Sequence, residues 1–533
     1  MTAIKKNKEL LLTIGAFAIF VFVACFKLTA APLWFDETIE YWYSTIMFGK
    51  LPYEGVDFAG PANMYERIVS TFQPPIYNIL MWLWLQISDT EWWFRFFGVV
   101  MGFIGAIGIY KSVQKLSNTY VASLAVVFCA FLYRLVYFWQ ECAEYCIMLA
   151  ALCWALYFWI SLLKEVNTKN IVLFTVFCII PVYCQYGAAF PVFGMIVTAF
   201  LYVVLQKDKK HTKTIFASYG AALVFAALPL FWFFIRIQMS GQVGREENFD
   251  AELSAFGSSF ITDFFGSMGE VFRWSFLAPG LGATIVTILL VFVLILVAIA
   301  LIFGKSKTLR WMALFNLVTW VVYYVAVKLG VYSYGSFGSR YNMFFVPLWA
   351  IFIFTVCYEL YQILGTRIHL GKLDMSKVQK VFAVLCVCAV VGYSMISWVT
   401  VLRHNWIKED IRGAVNAWYE EKAYEKPTII YYASGSGFAY YARQNEAFVP
   451  EHEDNVAYMT WMRDKTAADY EAYVNQVYGE EWPAEVYVVA SHTRDDLNTF
   501  ASCFTSRGYE QEDVYNTDDG MLLYFVLEES VSE

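Results

Sequence analysis

Long apolar runs, separated by short polar junctions, fill most of the first 400 residues. About 20 apolar residues are enough for an α-helix to cross the hydrocarbon core of a bilayer. The runs do not alternate in polarity, as the strands of a transmembrane barrel would. The pattern predicts 11 transmembrane helices, at residues 9–28, 92–111, 119–138, 142–163, 170–186, 187–205, 214–236, 281–303, 310–329, 341–363 and 378–400. The first run follows the basic stretch KKNK, and we expect it to be an uncleaved helix rather than a signal peptide.

One apolar stretch, residues 72–88, does not fit this series. It is short, it opens with Pro-Pro, and counting it as a span would invert every later loop. We predict an amphipathic helix lying in the outer membrane interface, where Trp82 and Trp84 would be favourably placed.

Lysine and arginine clusters occur at every second junction, which indicates one cytoplasmic face. This places the N-terminus in the cytoplasm, and a long first loop (29–91) and the C-terminal tail on the opposite side. We therefore expect a multi-pass protein of the plasma membrane. The basic clusters comprise Lys5, Lys6, Lys8, Lys111, Lys115, Lys164, Lys169, Lys207, Lys209, Lys210, Lys213, Lys305, Lys307, Arg310, Arg367, Lys372 and Lys377.

The tail differs from the rest of the chain in charge and in pattern. The whole protein carries a net charge of −8, whereas residues 403–533 hold 10 basic and 25 acidic residues. Short apolar strands alternate there with amphipathic helices, and the last strand follows an Asp519-Gly520 turn. The pattern predicts a transmembrane domain at 1–402 and a soluble, extracytoplasmic α/β domain at 403–533. The acidic charge argues against nucleic acid as a partner.

An adjacent acid pair, Asp36 and Glu37, follows the first predicted span. Aromatic residues surround the pair in the sequence PLWFDETIEYWY. Partial desolvation at a membrane edge raises a carboxyl pKa towards the strength of a useful base. An acidic loop start within an aromatic belt fits these residues equally well. The first loop, which also contains Asp57, is longer than a bare connection needs to be, and this favours a function.

Two further candidates are predicted at the same membrane edge. Glu141 and Glu144 join spans three and four, and their i,i+3 spacing would put them on one helix face. Arg340 follows a glycine-rich stretch, where it could bind a phosphate oxygen. The alternatives are a solvated junction for the acids and a simple interfacial anchor for the arginine.

In chain order, the segments WFDE, QPPIYNILMWLWLQISDTEWWFRFFG, WQECAEY and SRYNMFFVPL resemble the GT-C glycosyltransferases. The similarity is to the glycosyltransferase family 39-like group of protein O-mannosyltransferases and lipid A aminoarabinose transferases, and it covers about residues 1–400. It implies a GT-C fold and transfer of a sugar from a polyprenyl-phosphate donor, with inversion at the anomeric carbon. The acceptor would be an extracytoplasmic glycan, lipid or protein.

The resemblance also implies roles for individual residues. Asp36 would be the general base and Glu37 its supporting acid. We assign substrate binding to Glu141, Glu144, Tyr145, Gln73, Arg340, Tyr341 and Asp57. The chain departs from its relatives at Glu144, where many of them carry an arginine. It also has Phe72 and Gln73 where the aminoarabinose enzymes have an acid and a lysine linked to a metal, so no cofactor is predicted and a divalent metal is left open.

Two other functional classes compete with a transferase. A transporter or flippase of lipid-linked sugars would need charges near the middle of its spans and inverted repeats, and we find neither. The third hypothesis is an assembly protein that binds through its tail. Within the tail, ASGSG fits a phosphate loop less well than a plain strand-to-helix turn, and KEDIRGA resembles the first tail helix of bacterial relatives. A role of the tail in binding or positioning the acceptor is a hypothesis.

Overall fold

Two compact units make up the protein in a computed structural model. The membrane unit comprises Met1–Phe26, Ile68–Tyr77 and Phe96–Arg403, and the tail unit comprises Lys27–Arg67, Asn78–Arg95 and His404–Glu533. Part of the first loop therefore groups with the tail, which the predicted boundary at residue 403 did not anticipate. The structure describes residues 2–45, 73–234, 236, 260–276, 283–329, 332, 339–366, 375–403, 407–459, 462, 465–493 and 496–527.

Sixteen α-helices precede the tail in the described part of the chain. They are α1 (Thr2–Cys25), α2 (Phe35–Thr45), α3 (Ile76–Leu85), α4 (Glu91–Leu116), α5 (Thr119–Ala130), α6 (Tyr133–Gln140), α7 (Tyr145–Lys164), α8 (Thr168–Cys184), α9 (Ala189–Leu205), α10 (Lys209–Ala222), α11 (Leu228–Phe233), α12 (Phe260–Phe276), α13 (Ala283–Phe303), α14 (Lys307–Lys328), α15 (Phe345–Thr366) and α16 (Met375–Arg403). A π-helical turn, Leu223–Ala227, joins α10 to α11. Single 3₁₀ turns lie at Tyr186–Ala188 and Arg340–Asn342.

Each of the 11 predicted spans coincides with helical structure. Among the described residues, eight helices are long and apolar enough to cross a membrane. A ninth span would be the pair α5 and α6, which is bent by 67°. Helix α8 and the segment Thr287–Phe303 are apolar but shorter. Helix α3 has ten residues, about 15 Å of helix, so it is too short to span; its predicted place in the interface stays a prediction.

Side-chain exposure in the membrane unit follows the expectation for a bundle surrounded by lipid. Almost every side chain of α7 is buried, and this helix packs against α8 and α9. Helices α10, α13 and α16 instead expose large apolar side chains such as Phe216, Phe292 and Met395. Exposed apolar stripes of this size would aggregate in water and are stable in a bilayer. The chain is a multi-pass membrane protein.

Glycines on α4 allow that helix to approach α6 closely. A Cβ atom on Gly98 would lie 2.5 Å from the carbonyl oxygen of Trp139, and one on Gly102 would lie 2.7 Å from its indole ring. Small residues at such positions let transmembrane helices pack backbone to backbone. The close contact holds the C-terminal end of α6, directly before the acidic junction at residues 141–144.

A five-stranded mixed sheet with helices forms the core of the tail. The strands are β1 (Thr428–Ile430), β2 (Val456–Tyr458), β3 (Glu485–Ser491), β4 (Tyr509–Thr517) and β5 (Gly520–Leu527), in the order β2-β1-β3-β5-β4. Strands β1, β2 and β3 pair in parallel, and β5 pairs antiparallel with β3 and β4. The helices are α17 (Ile411–Glu420), α18 (Gly435–Gln444), α19 (Ala467–Tyr478) and α20 (Asp496–Thr505).

The predicted α/β character of the tail is confirmed, with two differences of detail. Strands β2 and β4 were not predicted, because β2 is only three residues long and β4 is largely polar. The hairpin turn lies at Asp518 and Asp519, both of which have positive φ, rather than at Asp519 and Gly520. Left-handed central residues match the twist of the flanking strands, and aspartate tolerates this conformation better than most residues.

Candidate functional site

The first predicted acid pair lies in the opening turn of α2, in the tail unit. Trp34 precedes the helix, and its carbonyl accepts from the Thr38 amide at 3.0 Å. Glu37 reaches back to accept from the Trp34 amide at 3.3 Å, the arrangement of a capping box. Asp36 is half-buried, whereas Glu37 is only 2% exposed. Of the two acids, Asp36 is the more exposed.

Glu37 is engaged by a buried arginine. The Nη2 and Nε atoms of Arg95 donate to the two carboxylate oxygens of Glu37 at 2.7 and 3.2 Å. Arg95 is 6% exposed and also donates to Glu91 at 3.0 Å. Such a two-pronged pair compensates the cost of burying both charges through strong, directed hydrogen bonds. The side chain of Glu37 therefore organises the segment, and its contacts lie inside the protein.

The irregular segment before α2 is held by side chains. Arg95 donates to the carbonyls of Leu28, Ala31 and Pro32, at 3.0, 2.5 and 3.0 Å. The intervening carbonyls of Thr29 and Ala30 accept from Arg412, at 3.1 and 3.2 Å. Two guanidinium groups thus bind five consecutive carbonyls, which removes the cost of burying them unpaired.

The next three backbone amides also bond to side chains. The Leu33 amide donates to the Tyr441 hydroxyl at 2.6 Å, the Trp34 amide donates to Glu37, and the Phe35 amide donates to Glu409 at 3.0 Å. Tyr441 in turn donates to Glu91 at 3.0 Å. Burial, and then the negative charge of Glu91, raises the pKa of Tyr441 well above its ordinary value. The hydroxyl therefore stays protonated at neutral pH.

Aromatic and charged contacts from the tail complete the surroundings of Asp36. The ring of Phe35 stacks on His492, with centroids 4.6 Å apart, and His492 Nδ1 lies 2.5 Å from Glu409. The ammonium group of Lys408 lies 3.2 Å from the centroid of the Trp34 ring, a cation–π contact. Sequence reasoning missed His492 and the segment 408–412 as neighbours of Asp36. The resemblance of KEDIRGA to the first tail helix of relatives was the only signal, and it did not indicate which residues this segment contacts.

The ASGSG stretch of the tail is a strand-to-helix turn, as predicted. Ser434 bonds to the backbone of Ser491, and Ser436 bonds to Thr38 at 2.8 Å. The Ser436 carbonyl accepts from Trp42 at 2.9 Å, so α2 packs over the start of α18.

The second acid pair lies in the membrane unit, in the break between α6 and α7. Glu141 has extended backbone, and Glu144 directly precedes α7. The prediction that both share one helix face is therefore wrong, because the chain leaves the helical conformation at Glu141. Both side chains are buried, and Glu141 accepts from Tyr137 at 2.9 Å.

Several predicted substrate-binding residues gather around this break. The phenol of Tyr145 lies within electrostatic range of Glu141, Glu144 and Arg340. Arg340 lies in a single helical turn, and its Nη2 atom donates to the hydroxyl of Tyr341 at 3.1 Å. The membrane unit thus places two acids, one cation and two phenols at one location. The glycines before Arg340, residues 335 and 338, are outside the described residues.

Gln73 connects to the same region through two tyrosines. It accepts from the Tyr186 amide at 3.2 Å. The next residue, Gly187, approaches Tyr332 so closely that a Cβ atom would collide with its hydroxyl group. That hydroxyl donates to the carbonyl of Tyr341 at 3.1 Å. The predicted site residue Asp57 lies outside the described residues.

In the part of the chain that the structure describes, no group of three or more histidine, cysteine, aspartate or glutamate side chains is arranged to hold a metal ion.

Comparisons with known proteins agree on the fold. Residues 72–233 match the family model of the dolichyl-phosphate-mannose-protein mannosyltransferases. The structure is similar to ArnT from Cupriavidus metallidurans in the apo state, with a TM-score of 0.54, 10% identity and 98% of each chain covered. The undecaprenyl phosphate complex of ArnT gives a TM-score of 0.53 and 11% identity over 97% of each chain.

A second solved protein has a similar architecture. The oligosaccharyltransferase AglB from Archaeoglobus fulgidus, in complex with an inhibitory peptide and a dolichol-phosphate, gives a TM-score of 0.50 at 12% identity. The alignment covers 97% of this chain and 74% of that one. No curated protein sequence matches the chain. The resemblance read from the sequence is confirmed: the protein has the fold of the GT-C glycosyltransferases, and its residues 72–233 match the dolichyl-phosphate-mannose-protein mannosyltransferase family.

Proposed function

We propose that this protein is an integral membrane glycosyltransferase that moves a sugar from a polyprenyl-phosphate donor to an extracytoplasmic acceptor, with Asp36 as the general base. The observation that carries the proposal is the contrast within the first acid pair. Glu37 is buried against Arg95, while the adjacent Asp36 is half-buried at the start of α2. A rigid segment that presents one accessible carboxylate is the arrangement that proton abstraction requires.

The reaction follows from the donor chemistry. The Asp36 carboxylate takes the proton of an acceptor hydroxyl as its oxygen forms a bond to the anomeric carbon. The bond from that carbon to the phosphate oxygen breaks, and its electron pair leaves with the polyprenyl phosphate. Attack opposite the leaving phosphate inverts the anomeric configuration. ArnT and AglB have been solved with undecaprenyl phosphate and dolichol-phosphate, which supports a lipid-phosphate donor here.

Residues of the membrane unit would bind the donor. Arg340 would contact the phosphate, because a guanidinium offers paired donors to its oxygens. Glu141 and Glu144 would accept from sugar hydroxyls, and the phenols of Tyr145 and Tyr341 would line the same location. The charge left on the departing phosphate would be stabilised by the arginine. The lipid tail of the donor keeps the substrate in the bilayer, which explains why a membrane protein is suited to the task.

A donor panel tests the proposal. Purified protein in liposomes is given labelled polyprenyl-phosphate sugars together with candidate glycan, lipid and protein acceptors. We expect transfer by the wild type and a rate about 10²- to 10⁴-fold lower for Asp36→Asn, the usual contribution of a general base. Asp454→Asn, which neutralises an exposed tail carboxylate, is the matched control and should remain fully active.

Two outcomes would contradict the proposal. Equal transfer by wild type and Asp36→Asn would move the base elsewhere, with Glu141 and Glu144 tested next. Movement of an intact lipid-linked sugar across the liposome membrane, without transfer to any acceptor, would identify a flippase instead.

A further inference from the structure

Side chains of the tail bind half of the backbone groups counted in residues 28–35, the segment that leads into Asp36. Its carbonyls from Leu28 to Pro32 all accept from Arg95 or Arg412, and its amides from Leu33 to Phe35 all donate to side chains. Of these eight backbone groups, Arg412, Tyr441 and Glu409 bind four, and these three residues belong to the C-terminal tail. In addition, the Ala30 amide donates to the Lys27 carbonyl and closes one backbone turn.

We infer that the tail positions Asp36 for catalysis: Glu409, Arg412 and Tyr441 are positioning residues that lock residues 28–35 in place. The inference rests on the proposed function, because it gives Asp36 the role of the base. It assigns the tail a part in the chemical step rather than in the choice of acceptor.

The geometry explains how these contacts reach the Asp36 carboxylate. Asp36 is the second residue of α2, and the amide of the residue before it is bound by Glu409. A carboxylate at a helix N-terminus fixes where the helix begins, because it satisfies an amide that has no partner within the helix. If α2 began one residue earlier or later and its register shifted with it, the Asp36 side chain would turn by about 100° around the helix axis.

A second contact fixes the same residue by its ring. Glu409 is 3% exposed, and while one of its oxygens binds Phe35, the other lies 2.5 Å from His492 Nδ1. The His492 ring stacks on the Phe35 ring. Phe35 is thus held by both its amide and its side chain, through one glutamate–histidine pair. The residue next to the base has little freedom to move.

The alternative is that these side chains contact a substrate directly. The guanidinium of Arg412 donates to two carbonyls and pairs with Glu91, the latter at 3.2 Å. Tyr441 is 7% exposed; its hydroxyl accepts from the Leu33 amide and donates to Glu91. Because these groups already bind residues 28–33 and Glu91, we expect their effect on transfer to pass through Asp36.

Conservative variants of the full-length protein test the inference. Tyr441→Phe removes only the hydroxyl group, and Arg412→Lys keeps the charge opposite Glu91 but loses the two-pronged geometry. The matched controls are Tyr509→Phe and Arg507→Lys. The Tyr509 hydroxyl donates to the Pro483 carbonyl at 2.7 Å, and Arg507 pairs with Glu471 at 2.6 Å; both lie in the tail, and neither contacts residues 28–35 in these bonds.

The readouts separate positioning from general damage. We expect kcat to fall about 10- to 100-fold in Tyr441→Phe and Arg412→Lys, the effect of a displacement of about 1 Å at a catalytic group. The KM for the donor should change less than about threefold. Hydrogen exchange should become faster at the Leu33 amide and stay unchanged in β3. Both controls should keep wild-type kcat and wild-type exchange at Leu33.

The outcomes distinguish this inference from the proposed function. If Asp36→Asn is inactive while Tyr441→Phe and Arg412→Lys keep wild-type kcat, the tail does not position the base and the inference fails alone. If the controls lose as much activity as the test variants, the effect is one of tail stability, and the inference also fails. If Asp36→Asn itself is fully active, the proposed base is wrong and the inference falls with it.

Discussion

Two acid pairs look alike in the sequence and differ in the structure. Asp36 and Glu37 begin a helix, and one of them is neutralised by Arg95 while its neighbour stays accessible. Glu141 and Glu144 lie in a helix break, and both are buried within electrostatic range of Tyr145. In the first pair, a buried acid held in an ion pair lies beside a half-buried one. The second pair lies among buried polar groups, so two nearby acids alone do not define a role.

The partners of each pair explain the difference. Glu37 has the full positive charge of the Arg95 guanidinium bonded to both of its carboxylate oxygens. Glu141 accepts from the neutral hydroxyl of Tyr137, and a neutral donor forms a weaker hydrogen bond to a carboxylate than a guanidinium does. Three sets of variants test this difference between the two pairs.

The largest stability effect should come from the ion pair of the first acid pair. Glu37→Gln removes one of the two carboxylates that pair with the buried guanidinium of Arg95, the other being Glu91, and breaking a buried pair costs about 3–5 kcal/mol of unfolding free energy. Glu141→Gln should cost about 1 kcal/mol, because the amide oxygen can still accept from Tyr137. Thermal unfolding in detergent measures both. Equal shifts in the two variants would remove the distinction between the pairs.

An intermediate effect is expected for Arg340. Arg340→Ala should weaken the binding of undecaprenyl phosphate by roughly 10- to 100-fold, since a hydrogen bond to a charged group contributes about 1.5–3 kcal/mol. Arg340→Lys should recover part of the affinity, because the charge remains but the paired geometry is lost. Direct binding of the labelled lipid is the measurement. Unchanged affinity in Arg340→Ala would exclude a phosphate contact.

The smallest effect is a pH dependence at Tyr441. Because its pKa is raised in the folded protein, the hydroxyl ionises first in the unfolded chain, where its pKa is about 10. Its contribution to stability is therefore complete below about pH 10 and is lost as pH rises further. The difference in unfolding free energy between wild type and Tyr441→Phe should stay constant from pH 6 to 9 and shrink above pH 10. A difference that already changes near pH 7 would contradict this.

Sequence periodicity predicted most of the fold, because helices and strands are local. The spans, the α/β tail and the strand-to-helix turn at residues 434–435 all follow from patterns within about 20 residues. The prediction that Glu141 and Glu144 share a helix face failed because the conformation of this junction depends on packing: Gly98 on α4 contacts the backbone of Trp139 just before it. No local pattern records that contact.

The contacts around Asp36 could not be predicted from the sequence. Phe35 and Glu409 are 374 residues apart, and Leu33 and Tyr441 are 408 residues apart. Such contacts depend on how the tail folds onto the first loop, which neither periodicity nor composition specifies. Asp36 stays a predicted site residue, and its role as the base stays a prediction.

The most direct test is a single-turnover measurement of sugar transfer, with the active donor and acceptor from the panel both saturating. Wild type and Asp36→Asn are compared after their affinities for the lipid-phosphate donor have been shown to be equal. We predict a rate at least about 100-fold lower in the variant, because saturation leaves only the chemical step. A rate equal to that of the wild type would show that Asp36 takes no proton in the reaction and would contradict the proposed mechanism.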